Sequence, residues 1–179
     1  MKTKKENNIN ISDIADKIRK GKTVVYPTET CYGLGCDATN QNAVDQIFAI
    51  KKRQRNKTVL VLMSDITMAQ KYVVWNKKLQ DLADKYWPGA LTLVAKAEPE
   101  TDLAKNGVIA ADNTIAFRIS PHPFVQKVMK EISKPLVSTS ANISSKKSPY
   151  SIKEVKDMFK NTKNQPDILI DGGELPHES

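Results

Sequence analysis

The run TVLVLM, residues 58–63, constrains the fold more than any other stretch of the chain. It is too uniformly apolar for a strand with one face in water, so we expect a strand buried on both faces. Other apolar runs and amphipathic segments mix along the chain without strict alternation of strand and helix. The sequence therefore favours a mixed α/β sheet flanked by helices over an all-parallel sheet.

The remaining elements have their own local signals. β-Branched or alternating apolar runs predict strands over residues 23–26, 90–96, 114–120, 135–140 and 167–171. Apolar residues at helical spacing predict helices over residues 13–20, 42–53, 76–87, 123–132 and 151–161. The expected helix N-caps include Ser12, Ser64 and Ser151. In the strand 114–120, Arg118 lies on the face opposite the core residues.

The charge balance points to anionic partners. The 179 residues carry a formal net charge of +8, and only four of the 28 basic residues are arginines. Such a balance suggests nucleotides or RNA as partners. No stretch has the length of a membrane-spanning helix, and MKTKKENNINI lacks the apolar run of a secretory signal, so we expect a cytoplasmic protein.

The two cysteines do not define a metal or redox site. Cys31 and Cys36 form a C-x4-C pair with no further cysteine and no nearby histidine. Such a pair cannot complete a tetrahedral zinc site, and a disulfide is not expected in the cytoplasm. We expect both side chains to pack near a turn.

Four segments place hydroxyls, amides or cations where a strand ends. They are PTETCYGLG (27–35), read as a polar loop after the strand 23–26, KKRQRNK (51–57), TIAFR (114–118) and STSAN (138–142). Hydroxyls and backbone amides can hold a carboxylate or phosphate, and lysine and arginine neutralise phosphate charge. Each segment alone also fits a plain turn or a helix cap.

Absent motifs narrow the chemistry. The sequence has no P-loop, and its GLG lacks the third glycine of a dinucleotide fingerprint. The two histidines are His122, which lies between two prolines, and His177, so a Ser-His-Asp hydrolase fits poorly. The pattern is typical of charge neutralisation and positioning, as in phosphoryl or nucleotidyl transfer.

Together with WPGALTLV, the four segments resemble the YrdC family of threonylcarbamoyl-AMP synthases over residues 21–173. The resemblance implies an open, twisted mixed α/β sheet with a basic concave face. It also implies that L-threonine, bicarbonate and ATP, with Mg²⁺, are converted to threonylcarbamoyl-adenylate and pyrophosphate. The adenylate would pass to a separate transferase complex that modifies tRNA.

The resemblance assigns residues as well. Lys51 and Arg53, the K-x-R motif, are the expected catalytic pair. The expected threonine contacts are Thr30, Tyr32, Arg118 and Ser138, with Arg118 on the carboxylate. The expected ATP contacts are Arg53, Lys57, Thr114, Ser140, Asn142 and Ser148. No protein metal site is expected.

The sequence departs from the family pattern at three places. Gln54 follows Arg53 where the family has proline, and Thr58 precedes Val59 where it has a proline-leucine pair. Leu62 stands in place of a histidine near the threonine. The chain also stops before a Ser-Thr-[VI] strand, and we expect one domain over residues 1–179. Either the protein is short and lacks that strand, or the sequence is truncated and Ser179 begins the missing motif.

Two other functions stay open on sequence grounds. A non-catalytic RNA-binding protein would use the basic surface without any dependence on threonine, although only 6% of the residues are aromatic and no stacking platform is evident. A related carbamoyl-transfer or hydrolase activity on another small acceptor is also compatible with the fold.

Overall fold

The computed structural model describes residues 1–177, which form one eight-stranded mixed sheet. The strands are β1 (Lys2–Lys5), β2 (Val24–Pro27), β3 (Tyr32–Gly35), β4 (Leu60–Leu62), β5 (Leu93–Lys96), β6 (Thr114–Arg118), β7 (Leu136–Ser140) and β8 (Ile168–Asp171). Their order in the sheet is β1-β8-β2-β3-β7-β4-β6-β5. The pairs β1–β8, β2–β8 and β4–β6 are parallel and the other pairs are antiparallel. The predicted open mixed sheet is confirmed.

Six α-helices flank the sheet. They are α1 (Ile11–Arg19), α2 (Gln41–Lys51), α3 (Ile66–Tyr72), α4 (Lys77–Tyr86), α5 (Pro123–Ile132) and α6 (Ile152–Phe159). Because side chains alternate between the faces of a strand, the sheet has a separate core on each side. One core joins α1 and α5 to one face, and the other packs α2, α4 and α6 on the opposite face.

The segment 27–35 is not entirely a loop, which corrects the sequence-based expectation. Tyr32–Gly35 forms β3, antiparallel to β2, and only residues 28–31 connect the two strands. Glycine is required at position 35 because a Cβ there would lie 2.2 Å from the carbonyl oxygen of Val137. The glycines that suggested a loop thus allow β3 to approach β7 closely.

Two predicted N-caps were wrong by one or two residues. The side chain of Asn10, not Ser12, caps α1 and accepts a hydrogen bond from the Ser12 N–H. The side chain of Asp65, not Ser64, caps α3, and the Ser64 hydroxyl donates to Asp65. Ser151 caps α6 as predicted, in a reciprocal capping box with Glu154.

Strand β4, predicted from the run 58–63, is shorter and less buried than its sequence suggested. Val61 and Leu62 are buried, whereas Leu60 is partly exposed. Strand β1 was missed because its lysine-rich sequence has no apolar alternation, yet it pairs with β8 at the edge of the sheet. Ser179, proposed as the start of a further strand motif, lies outside the described residues.

Candidate functional site

The candidate site lies on the sheet face that α1 and α5 cover only in part. On this face Leu60 of β4 is opposite Ser138 of β7, and Leu62 is opposite Arg118 of β6. Leu62 is buried in the core beneath the helices, whereas Leu60 and Ala116 are partly exposed. We call the uncovered part, formed by the partly exposed residues Leu60, Thr114, Ala116 and Ser140, the open face.

The pairing of β4 with its neighbours sets two levels on this face of the sheet. The register places Ala116 and Ser138 on either side of Leu60, and Thr114 and Ser140 each lie two residues beyond them, toward the same end of the sheet. Arg118 lies four residues further along β6 than Thr114. The expected ATP residues Thr114 and Ser140 therefore share one level, and the expected threonine residue Arg118 lies toward the other end.

Arg118 is a buried arginine paired with a residue that the sequence reasoning had not assigned. Its side chain is 9% exposed, and Nη2 lies 2.8 Å from Glu29 Oε1. The atoms Arg118 Nε and Glu29 Oε1 are buried and have no hydrogen-bond partner of normal geometry within residues 1–177. A buried guanidinium with unsatisfied donors is unfavourable by itself, so this group is suited to an anionic ligand.

Glu29 belongs to the loop 28–31, which also carries Thr30. The Thr28 hydroxyl donates to Cys31 O at 2.7 Å and accepts from the Thr30 and Cys31 N–H groups. This local network fixes the loop and leaves the Thr30 side chain exposed. Thr30 is therefore available to a ligand on the same side as Arg118.

Ser148 is brought next to this loop. The Tyr32 N–H donates to Pro149 O at 2.9 Å, which ties the segment after STSAN to the start of β3. Burial raises the pKa of the Cys31 thiol, while hydrogen bonds with the Ser148 and Thr30 hydroxyls oppose that rise. Ser148, an expected ATP contact, thus borders the expected threonine contact Thr30.

Lys51 is the most constrained cation of the site. It is 1% exposed, and its Nζ donates to Ser140 O, to Asn142 O at 2.8 Å and to Asn142 Oδ1 at 2.9 Å. Burial, with the nearby charge of Arg53, lowers the pKa of Lys51 to about 8. All three hydrogens of the ammonium are engaged, so here Lys51 shapes the turn after β7 and does not present its charge to solvent.

Arg53 and Lys57 provide the accessible positive charge. Arg53 donates from Nε to Lys57 O and from Nη2 to Thr58 O, both at 2.8 Å, which holds the turn between α2 and β4. Burial lowers the pKa of Arg53 from its ordinary value. A cavity of about 390 Å³ lies between this turn and the segment after β7, and its lining includes Arg53, Lys57, Ser140 and Asn142.

Tyr32 is placed differently from the expectation. Its side chain is fully buried, and its hydroxyl donates to Gly173 O at 2.7 Å and accepts from Gly172 N–H at 3.0 Å. A pocket wall needs an exposed ring, which Tyr32 lacks. Its observed role is to fasten residues 172–173 against β3.

Leu62, the departure from the family pattern, is also fully buried. It packs in the core shared by α1 and α5 and lies between Leu136 and Arg118 in the sheet. An apolar side chain in the core offers no hydrogen bond to a ligand. The contact that a histidine would make has no counterpart at this position.

Thr114 and Ser138 have no direct link to the cationic cluster, and their assigned ligand contacts stay predictions. The Thr114 hydroxyl donates to Asp112 at 2.7 Å, and Ser138 is buried. A wider groove of about 960 Å³, bordered by Arg55 and Asp45, contains none of the predicted site residues. Arg55 is engaged there by an ion pair with Asp45 at 2.5 Å.

Across residues 1–177, no three histidine, cysteine, aspartate or glutamate side chains converge as a metal site. Over the same residues, no helix is both long enough and apolar enough to cross a bilayer. Cys31 and Cys36 are free, as expected.

Sequence reasoning missed Glu29 and Ser120. The Ser120 hydroxyl donates to Glu29 Oε2 at 2.5 Å, so both oxygens of Glu29 face the end of β6. The partners are 91 residues apart, and no local pattern joins them. The one sequence feature that could have indicated Glu29 is its position between two threonines in a loop already expected to bind a ligand.

An open mixed sheet with arginines and hydroxyls at its strand ends defines a class of small-ligand-binding α/β proteins. The family model Sua5_yciO_yrdC, described as "Telomere recombination", matches residues 16–179. The chain belongs to this Sua5/YciO/YrdC family.

Three similar proteins illustrate the relationship. A threonylcarbamoyl-AMP synthase of Pseudoalteromonas translucida (strain TAC 125) is 40% identical over 145 residues, which cover 79% of this chain and 76% of that protein. The crystal structure of P. abyssi Sua5 complexed with L-threonine is 31% identical with a TM-score of 0.85 and covers 97% of this chain. This chain spans half of that Sua5 chain, 50%. Full-length HypF in its phosphate- and nucleotide-bound form is 25% identical with a TM-score of 0.79, covering 92% of this chain and 25% of HypF.

Proposed function

We propose that this chain is a threonylcarbamoyl-AMP synthase, which joins L-threonine, bicarbonate and ATP and releases pyrophosphate. The observation that carries the proposal is Arg118. It is buried, its Nε has no partner within residues 1–177, and it lies beside the loop that carries Thr30. Its planar fork suits a carboxylate, and the similar P. abyssi Sua5 was crystallised with L-threonine.

The cationic cluster supports ATP as the second substrate. Arg53 and Lys57 border a cavity whose opposite wall carries Ser140 and Asn142. Guanidinium, ammonium and hydroxyl donors are the groups that bind phosphate oxygens. The HypF structure of the same fold was determined with bound nucleotide, which agrees with this assignment.

The proposed chemistry needs charge stabilisation more than a strong base. A carbamate, formed from the threonine amine and bicarbonate with loss of water, attacks the α-phosphorus of ATP. Its oxygen forms the new P–O bond, and the bond to pyrophosphate breaks with both electrons on the leaving oxygen. Arg53 and Lys57 would offset the charge that develops on the transferred phosphoryl group and on pyrophosphate.

We expect Mg²⁺ to enter with ATP. Bound Mg²⁺ neutralises phosphate charge. The absence of a converging carboxylate set in residues 1–177 fits an ion held mainly by phosphate oxygens and water. Lys51 would act by keeping Ser140 and Asn142 in place, and Ser148 would complete the nucleotide side.

We further propose that the adenylate passes to a transferase that modifies tRNA, with both steps in the cytoplasm. The net charge of +8 is compatible with transient tRNA contact. Within the described residues, no observation favours a non-catalytic RNA-binding role.

The test is pyrophosphate release from ATP, Mg²⁺ and bicarbonate, with and without L-threonine, combined with mass spectrometry of the product. We expect release only with threonine, together with threonylcarbamoyl-adenylate. Release that is equal without threonine, or no adenylate from a folded sample that binds ATP, would contradict the proposal.

A further inference from the structure

Two buried polar atoms without a hydrogen-bond partner of normal geometry belong to two residues in direct contact. Within residues 1–177 these atoms are Glu29 Oε1 and Arg118 Nε. The two side chains meet where Arg118 Nη2 approaches Glu29 Oε1. Unsatisfied buried polar groups are unusual, and two on paired residues point to a ligand that supplies the missing bonds.

The two side chains have complementary requirements. Glu29 Oε1 and Arg118 Nη2 are 2.8 Å apart, yet the direction of approach leaves Oε1 without a hydrogen bond and Arg118 Nε without an acceptor. The carboxylate therefore needs a donor, and the guanidinium needs an acceptor. A single ligand with a cationic donor next to an anionic acceptor would satisfy both.

An α-amino acid has this arrangement, because its ammonium and carboxylate are attached to one carbon. When such a zwitterion binds between Glu29 and Arg118, two well-directed charged hydrogen bonds replace the poorly directed contact between the two side chains. A ligand with a carboxylate alone would satisfy Arg118 and leave Glu29 unsatisfied.

We propose that Glu29 is the residue that recognises the α-ammonium group of the amino acid, while Arg118 takes its carboxylate. This assignment rests on the proposed function and names the group that makes the threonine site selective for a free α-amino acid. Glu29 thereby discriminates against hydroxy acids and other carboxylates that Arg118 alone would accept.

Ser120 positions the carboxylate for this role. Its hydroxyl donates to Glu29 Oε2 at 2.5 Å and accepts from the His122 N–H at 3.2 Å. Ser120 is 1% exposed, so the bond is protected from water. With Oε2 fixed in this way, Oε1 is the oxygen left for a ligand.

The experiment compares two ligands by calorimetry. L-Threonine and (R)-3-hydroxybutanoate share a carboxylate and a hydroxyl, and only threonine carries the ammonium. We expect the wild-type protein to bind threonine much more tightly. In Glu29→Gln, the ratio of the two dissociation constants should fall by about tenfold or more, because a charged hydrogen bond is lost for one ligand only.

Three further variants separate recognition from support. Glu100→Gln removes the same charge from an exposed position and should leave the ratio unchanged. Glu29→Asp keeps the negative charge on a shorter side chain. The ratio of the two dissociation constants should therefore lie between those of Glu29→Gln and the wild-type protein. Ser120→Ala should lower the ratio less than Glu29→Gln does, because the carboxylate remains but is less well oriented.

The outcomes are distinct. If Glu29→Gln weakens the binding of both ligands equally, Glu29 only holds the loop 28–31 against β6. The inference is then overturned while the proposed function stands. If the wild-type protein neither binds threonine nor releases pyrophosphate with it, the proposed function and this inference fail together. Retained ATP binding by Glu29→Gln, measured in the same cell, shows that the variant is folded.

Discussion

The ammonium of Lys51, at the end of α2, donates to the side-chain oxygen of Asn142 after β7 at 2.9 Å. The contact is reinforced by the main chain, since the Ser144 N–H donates to Lys51 O at 2.8 Å. One residue thus secures both ends of the turn that carries Ser140 and Asn142. The proposed ATP cavity, whose lining includes Lys51, therefore depends on a lysine whose three donors are already engaged.

Binding of ATP should weaken as the pH rises through about 8. Below this pH, Lys51 is an ammonium with three donors for three acceptors. Above it, the neutral amine has two donors, so one oxygen of the turn loses its partner. Calorimetric titration with ATP between pH 7 and 9.5 measures the effect. In Lys51→Met the affinity for ATP should be low at every pH and should not change near pH 8. If the variant shows the same change in affinity near pH 8, another group is responsible for it.

Arg53→Ala should reduce the rate of adenylate formation by at least about 100-fold, in line with the loss of a charged group that stabilises a transition state. The fold should survive, because Arg53 is partly exposed and its two bonds reach only the turn at Lys57 and Thr58. Pyrophosphate release measures the rate, and circular dichroism tests the fold. Turnover close to wild type would remove Arg53 from the site.

Arg118→Lys should raise the KM for threonine by about 10-fold to 100-fold, because an ammonium cannot reproduce the planar fork of a guanidinium. The KM for ATP should change little, since Arg118 and Thr114 lie at opposite ends of β6. Steady-state kinetics with each substrate varied in turn separates the two. Equal changes in both KM values would indicate a general loss of structure.

Asp13→Asn should lower the melting temperature at pH 7, and this effect should shrink near pH 2 and vanish only below it. Hydrogen bonds from Lys17 and Lys4 lower the pKa of Asp13 to about 2, below its ordinary value of 3.8. A lowered folded-state pKa stabilises the protein above the unfolded-state value, and this contribution is lost as the pH falls from about 3.8 through about 2. Thermal melts of both proteins between pH 7 and pH 2 provide the measurement, and a difference in melting temperature that does not shrink over this range would contradict the ion-pair explanation.

The elements with strong local signals were predictable from the sequence. The alternation in residues 114–120 correctly placed Phe117 in the core and Arg118 on the opposite face. Strands β1 and β3 were not predictable in this way, because lysines and glycines carry no strand signal. What defines β3 is the close approach of Gly35 to Val137, a contact between distant parts of the chain.

The candidate site shows the same division. Hydroxyls and cations at strand ends were visible in the sequence, and resemblance to a known family supplied their roles. The sequence could not show that Lys51 has all its donors engaged, that Tyr32 is fully buried, or that Glu29 meets Arg118. These facts depend on partners brought together only by the folded sheet.

The position of β8 between β1 and β2 has a consequence for how the chain acquires its structure. Lys2 of β1 pairs with Ile168 of β8, so during synthesis β1 has no neighbour in the sheet until β8 has emerged from the ribosome. Closing so long a loop is slow compared with local pairing. The ion pair between Lys4 of β1 and Asp13 of α1, at 2.5 Å, can attach β1 to α1 before β8 is available. We therefore expect this edge of the sheet to assemble late, with α1 and β2 already in place.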